Sequence, residues 1–124
     1  MEESIFDQLG GEAFFVQLVD TFYAAVERDD VLRPMYPDDL TDSKRHFTMF
    51  LIQYWGGPRT YQDERGHPRL RIRHAPFEIT KSARDAWLRA MNGALDSVRD
   101  QLNDEQFEAL ISYFQMAATQ LRNA

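Results

Sequence analysis

Cysteine is absent from the sequence, which removes disulfides, thiolate nucleophiles and thiolate metal ligands together. Long apolar runs are absent too: none approaches the roughly 20 residues needed to span a bilayer, so no membrane segment is expected. The opening MEESIFDQLGG carries acids where a secretory leader would carry basic residues ahead of an apolar stretch, and it does not read as a signal peptide. Positive charge is in deficit, with 14 Lys and Arg against 20 Asp and Glu, leaving a net charge of −6. That balance argues against general nucleic-acid binding and for a cytoplasmic protein. Catalytic signatures are missing as well: no HExxH, GxSxG, P-loop, GxGxxG or paired-carboxylate site occurs.

What remains is a short chain with many rings. Its 124 residues fit one domain, 1–124, and 44% hydrophobic content excludes a disordered chain. Nine Phe, five Tyr and two Trp are many for so small an interior, so the aromatics either form the core or line something enclosed by it.

Helical periodicity dominates, and the predicted class is all-α. A short apolar turn (Ile5, Phe6, Leu9) leads to Gly10-Gly11, where the chain can change direction. Phe15, Leu18, Val19, Phe22, Tyr23 and Val26 then fall on one stripe of a helix that stops near Asp29-Asp30. A short piece around Val31 to Met35 is limited by Pro34 and Pro37. A further helix, from about Asp42 to Trp55, carries Phe47, Phe50, Leu51 and Tyr54 and ends at Gly56-Gly57-Pro58. Thr80 is the predicted N-cap of a helix bearing Trp87, Met91, Leu95 and Val98. Asn103 and Gln106 predict a capping box for a last helix burying Phe107, Leu110, Ile111, Phe114, Ala118 and Leu121.

The stretch 56–69, rich in Gly, Pro, Arg and His, is expected to be irregular, and Leu70 to His74 can form about one turn before Pro76. So long a connection is unusual in a helical bundle, whose loops are commonly short. Either loop side chains or a bound cofactor must fill the space it leaves. The three histidines, His46, His67 and His74, include no pair with the helical spacing of a zinc site. His74 stands apart, at the end of a short turn and followed by Ala-Pro-Phe. One imidazole over an aromatic cavity is what haem iron needs, because porphyrin supplies the four equatorial nitrogens. Tyr23, Tyr36 and Trp87 lie in apolar stripes; they are either ordinary core residues or donors converging on a buried ligand. Arg65, Arg69, Arg71 and Arg73 form a basic cluster that reads as a solvated loop, one or two of whose members are free to pair with carboxylates.

The runs QYWGGPRTY at 53–61, RGHPRLRIRHAPF at 65–77 and DAWLRAM at 85–91, supported by LGG at 9–11, FY at 22–23 and YP at 36–37, resemble the group II truncated haemoglobins, and the actinobacterial type closely. The resemblance runs from about Phe6 to the last residues. It implies a truncated globin fold, a two-over-two helical sandwich around haem b (iron protoporphyrin IX), with the proximal helix reduced to a turn. It makes His74 the axial iron ligand and places Leu70 and Phe77 on the proximal side of the haem. Phe47 and Phe50 fall on the distal side, and Tyr23, Tyr36 and Trp87 match the distal polar residues. Arg73 and Tyr61 become the expected propionate partners, and Ser43 falls at the distal gate. Two positions depart from the family pattern. His46 stands where relatives often carry Arg, and Phe47 where close relatives tend to carry Leu. His46 is therefore expected to reach the haem edge and pair with a propionate when protonated.

The resemblance implies reversible binding of oxygen and other diatomic ligands with slow oxygen release. It also implies a possible reductase partner and, alternatively, redox consumption of nitric oxide or peroxide at the same site. A helical interaction module without cofactor is the reading that uses none of these residues, and a Soret band separates it from the others.

Overall fold

Apolar residues at three- and four-residue spacing become the buried faces of four long helices. The computed structural model describes residues 3–124, and no strand occurs among them. The helices are α1 (Ile5–Gln8), α2 (Glu12–Arg28), α3 (Thr41–Tyr54), α4 (Thr60–Arg65), α5 (Leu70–His74), α6 (Lys81–Ser97) and α7 (Asp104–Leu121). Short 3-10 turns, Arg33–Met35 and Arg99–Gln101, precede α3 and α7.

Helix α2 packs against both α3 and α6, and α6 packs against α7. Phe15, Leu18, Val19 and Phe22 of α2 are wholly enclosed, as are Met91 and Leu95 of α6 and Leu110 of α7. The buried side chains form one continuous cluster. Enclosing each such side chain contributes about 1.5–3 kcal/mol, so the long helices owe their stability to this shared interior more than to intrinsic helix propensity.

The helix ends follow the predicted chemistry. Thr80 Oγ1 accepts from the Ala83 amide at 3.1 Å. Asn103 and Gln106 form a reciprocal capping box, with bonds of 2.8 and 3.0 Å. The diglycine after α3 is required by close approach: a Cβ on Gly57 would lie 2.6 Å from Ile52 Cγ2 and 2.9 Å from the Phe6 ring. That approach lets the Phe6 amide donate to the Trp55 carbonyl at 3.0 Å, seating α1 on the end of α3.

One expectation needs correction. Residues 56–69 are not irregular throughout, because Thr60–Arg65 is helical. Six residues are too few for periodicity to show a helix, and an isolated segment of that length would not be stable. Tertiary ties hold it: Gln53 Oε1 accepts from the Gln62 amide at 2.9 Å, Arg45 pairs with Glu64 at 2.7 Å, and Tyr61 is buried beneath. The exposed ion pair contributes little by itself. The buried ring and the capped amide matter more.

Candidate functional site

The segment from Gly66 to Thr80 forms one wall of a cavity of about 390 Å³. Its centre is α5, entered through Arg69 in the left-handed region at φ 46°, a conformation uncommon for a residue with a side chain. Arg73 gathers the turn by donating from Nε to the Pro68 carbonyl at 2.8 Å and from Nη2 to the Arg65 carbonyl at 2.9 Å. His74 Nδ1 lies 2.6 Å from the Leu70 carbonyl oxygen. A carbonyl only accepts, so Nδ1 is the donor, and in the neutral ring this tautomer leaves the lone pair on Nε2. Such a bond both selects the tautomer and makes the imidazole a better metal ligand. His74 lines the cavity, whereas His67 is exposed and does not.

The framework helices supply another part of the lining. Phe22 and Tyr23 of α2 meet at 5.2 Å between ring centroids, and Phe22 stands 5.6 Å from Phe47 and 5.2 Å from Trp87. Tyr23 packs edge-on to Tyr36 at 5.6 Å. Helices α2, α3 and α6 and the turn after α2 thus bring four aromatic segments to one place. Burial pushes the Tyr36 hydroxyl up to about 12, partly offset by the Trp87 indole beside it. Burial, with Tyr36 nearby, holds the Tyr23 hydroxyl well above the ordinary tyrosine range. Both hydroxyls therefore stay protonated at neutral pH and can donate, and the indole N–H can only donate. Among the described residues the one enclosed side-chain polar atom without a partner is Trp55 Nε1, outside the cavity lining. Tyr23, Tyr36 and Trp87 instead open onto the cavity.

The rim is basic. Arg65 and Arg73 sit 5.7 and 6.0 Å from the buried Tyr61 ring, and Phe50 packs on that ring at 5.6 Å. Arg65 Nη1 lies 2.6 Å from His46 Nδ1. Arginine only donates, so His46 accepts at Nδ1 and is neutral in this contact. Burial, and then the charge of Arg65, hold the His46 pKa below the ordinary histidine value, while Asp42 and Glu64 pull weakly the other way. The expected protonated His46 is thus not the state this geometry favours: the fixed positive charge at that corner belongs to Arg65.

Every residue given a haem or ligand role from the sequence lies on this cavity, whereas His67, Arg69 and Arg71 do not. Tyr23, Tyr36, His46, Phe47, Phe50 and Tyr61 line it, together with Leu70, Arg73, His74, Phe77 and Trp87, and so does Ser43. Sequence reasoning did not single out Arg65 within its basic cluster, nor Met35 beside Tyr36, nor Phe114 and Leu121 as lining rather than plain core. For the α7 residues the signal was present but ambiguous, because a stripe facing a cavity and one facing the core look alike.

The lining suits haem. The walls are largely aromatic and aliphatic, one imidazole offers a free nitrogen, and guanidinium groups at the rim match carboxylates. Phe77 borders the cavity yet is 48% exposed, a large apolar surface that a flat ligand would cover. No cluster of three His, Cys, Asp or Glu able to hold a bare metal ion occurs among the described residues. An all-α fold enclosing such a pocket is the arrangement globins use to hold haem. Residues 4–120 match the family model of the bacterial-like globins, to which this chain belongs, within the group II truncated haemoglobins. A group 2 truncated hemoglobin of Bacillus subtilis is 45% identical over 113 residues, which cover 91% of this chain and 84% of that protein. The structure superposes on the hemoglobin of the thermophilic phototroph Chloroflexus aurantiacus with a TM-score of 0.95 and 48% identity, covering 99% of this chain and 100% of that one. A truncated oxygen-avid haemoglobin from Bacillus subtilis gives a TM-score of 0.91 and 42% identity, with coverage of 98% and 100%. Haem is accordingly the cofactor of this chain.

Proposed function

We propose that the chain is a single oxygen-binding unit that holds haem b through His74 Nε2 and takes up oxygen, and other diatomic ligands, on the opposite face. The observation that carries this reading is the His74–Leu70 bond of 2.6 Å, which engages Nδ1 and so leaves Nε2 as the nitrogen available to a metal, on a cavity that also collects Tyr23, Tyr36 and Trp87. Bound haem supplies the iron; the chain supplies placement, exclusion of water and hydrogen bonds. Phe47, Phe50, Leu70 and Phe77 would form apolar contacts with the ring, while Arg65, Arg73 and Tyr61 would receive its propionates. His46 lies beside the same edge and orients Arg65 by accepting from it.

Tyr36 and Trp87 would donate to a bound ligand that gathers negative charge, as oxygen does on ferrous haem, and Tyr23 would orient Tyr36. A charge-assisted bond contributes ~1.5–3 kcal/mol, and ~1.4 kcal/mol is tenfold in an equilibrium. Two such donors raise oxygen affinity by roughly a hundredfold or more, mostly by slowing release. Slow release suits sensing, scavenging or redox chemistry better than bulk delivery. The oxygen avidity of the Bacillus subtilis relative supports the same reading. The acidic, cysteine-free composition supports a cytoplasmic location.

Absorption spectra of the purified, reduced protein test the proposal. We expect an intense Soret band that changes reversibly as oxygen is admitted and removed. Protein that shows no Soret band after reconstitution with haem, or a reduced spectrum indifferent to oxygen, is incompatible with it.

A further inference from the structure

We infer that Asn123 is a positioning residue for His74, clamping the proximal segment to the end of α7; this rests on the reading of His74 as the axial ligand. Residues 75–80 join the proximal turn to α6 and have little regular structure of their own to fix them. Asn123, two residues past α7, supplies what is missing. Its Oδ1 accepts from the Ile79 amide at 2.8 Å, and its Nδ2 donates to the Phe77 carbonyl at 2.9 Å. The same Nδ2 stands 3.5 Å from the His74 carbonyl, a weak contact on the backbone of the ligand residue itself. The backbone joins in, with the Asn123 and Ala124 amides donating to the Ile79 carbonyl at 3.0 and 3.2 Å.

Three features make this a placement device and not a routine surface contact. The carboxamide is the one neutral side-chain head that presents an acceptor and a donor at the same distance, and both are used, on one short stretch of chain. The bond to Ile79 bridges 44 residues of sequence, so it ties the segment to the chain just past α7 and not to a neighbouring turn. The stretch has His74 at one end and Thr80, the N-cap of the helix that carries Trp87, at the other. Arg73 and Leu70 hold the imidazole within its own turn. Helix α5 also packs on α7 directly, and the clamp adds directional bonds from the chain just beyond that turn to the end of α7, whose Ala118 and Leu121 line the same cavity. Loosening it lets α5 shift as a body while its internal bonds stay intact.

The test uses haem-loaded wild-type protein beside Asn123→Ala and Asn123→Asp. Three readouts serve: the iron–histidine stretching band in resonance Raman spectra of the ferrous protein, haem transfer to an excess of a scavenging apoglobin, and hydrogen exchange at the Ile79 amide. Asn123→Ala should speed Ile79 exchange, shift or broaden the iron–histidine band, and release haem about tenfold faster, equivalent to roughly 1.4 kcal/mol. Asn123→Asp keeps an acceptor for Ile79 but turns an oxygen toward the Phe77 carbonyl. It should preserve Ile79 protection while still perturbing the band. A merely structural contact would lower thermal stability and leave the band in place. The clamp is overturned if Asn123→Ala exchanges Ile79 at the wild-type rate, or exchanges it faster with an unshifted band and haem release within twofold. A wild-type protein with no iron–histidine band contradicts the His74 reading itself, a result distinct from either.

Discussion

The two sides of the cavity are built differently. On the α2, α3 and α6 side the aromatic residues stand on long helices whose opposite surfaces are locked in the core, with Phe15, Leu18, Phe22 and Leu51 fully enclosed. On the other side a five-residue helix carries His74, none of its residues is buried, and Ile72 is 68% exposed. Packing holds the first side. The second has Leu70 against the core and α5 on α7, and is otherwise held by individual hydrogen bonds: Arg73 to two carbonyls, His74 to a third, and Asn123 to the segment beyond. Apolar packing is spread over many contacts and tolerates the loss of any one polar atom. A segment held by a few directional bonds answers to each of them. The side expected to tune ligand release is therefore rigid by burial, and the side expected to hold iron is adjustable by single side chains.

Substitutions that act on one side alone break or sharpen this contrast. Phe15→Ala opens a cavity within the framework, where the ring is wholly enclosed against Phe6 and Phe14. It should cost about 3–5 kcal/mol in denaturant unfolding while leaving the ligand spectra of the remaining folded protein unchanged. Altered oxygen spectra would show that packing and site are not separable as described.

Tyr36→Phe and Trp87→Phe remove donors from the distal side but keep a ring in place. Each should speed oxygen dissociation by about tenfold or more in stopped-flow measurements, with a smaller change for carbon monoxide, a weaker acceptor. Rates within twofold of wild type for both would reduce these residues to core packing.

The smallest effect concerns pH. The fold holds the His46 pKa below its unfolded value, so the neutral form is favoured and His46 contributes fully above about pH 6.5, the unperturbed value. That contribution is lost as pH falls toward the depressed folded value, because protonation sets His46 against Arg65. Haem retention should weaken modestly on acidification, and His46→Gln, which can still accept a bond but does not titrate in this range, should flatten the profile. A wild-type profile that weakens as pH rises would restore the protonated His46–propionate pair expected from sequence.

The framework was legible in the sequence because each long helix carries its buried stripe and its cap in local order: Thr80 before α6, and Asn103 with Gln106 before α7. The cavity lining was legible through the aromatic and histidine positions of the resemblance. Helix α4 was not, since it is held by the bond to Gln53 and the burial of Tyr61 against the rest of the fold, which six residues of local sequence do not show. Nor was the state of His46, set by an arginine 19 residues away in the chain. The Asn123 contacts are equally invisible to periodicity, because they exist only once α7 has brought its end beside the proximal segment.

The central claim is that His74, and no other histidine, holds the iron. Haem stoichiometry and the ferrous absorption spectrum of His74→Ala beside His67→Ala test it most directly. His67 serves as the control because it is exposed and lies outside the cavity lining. The account predicts that His74→Ala purifies with most of its tightly held haem lost and an altered ferrous spectrum, while His67→Ala matches wild type. Full haem content and an unchanged spectrum in His74→Ala would contradict it.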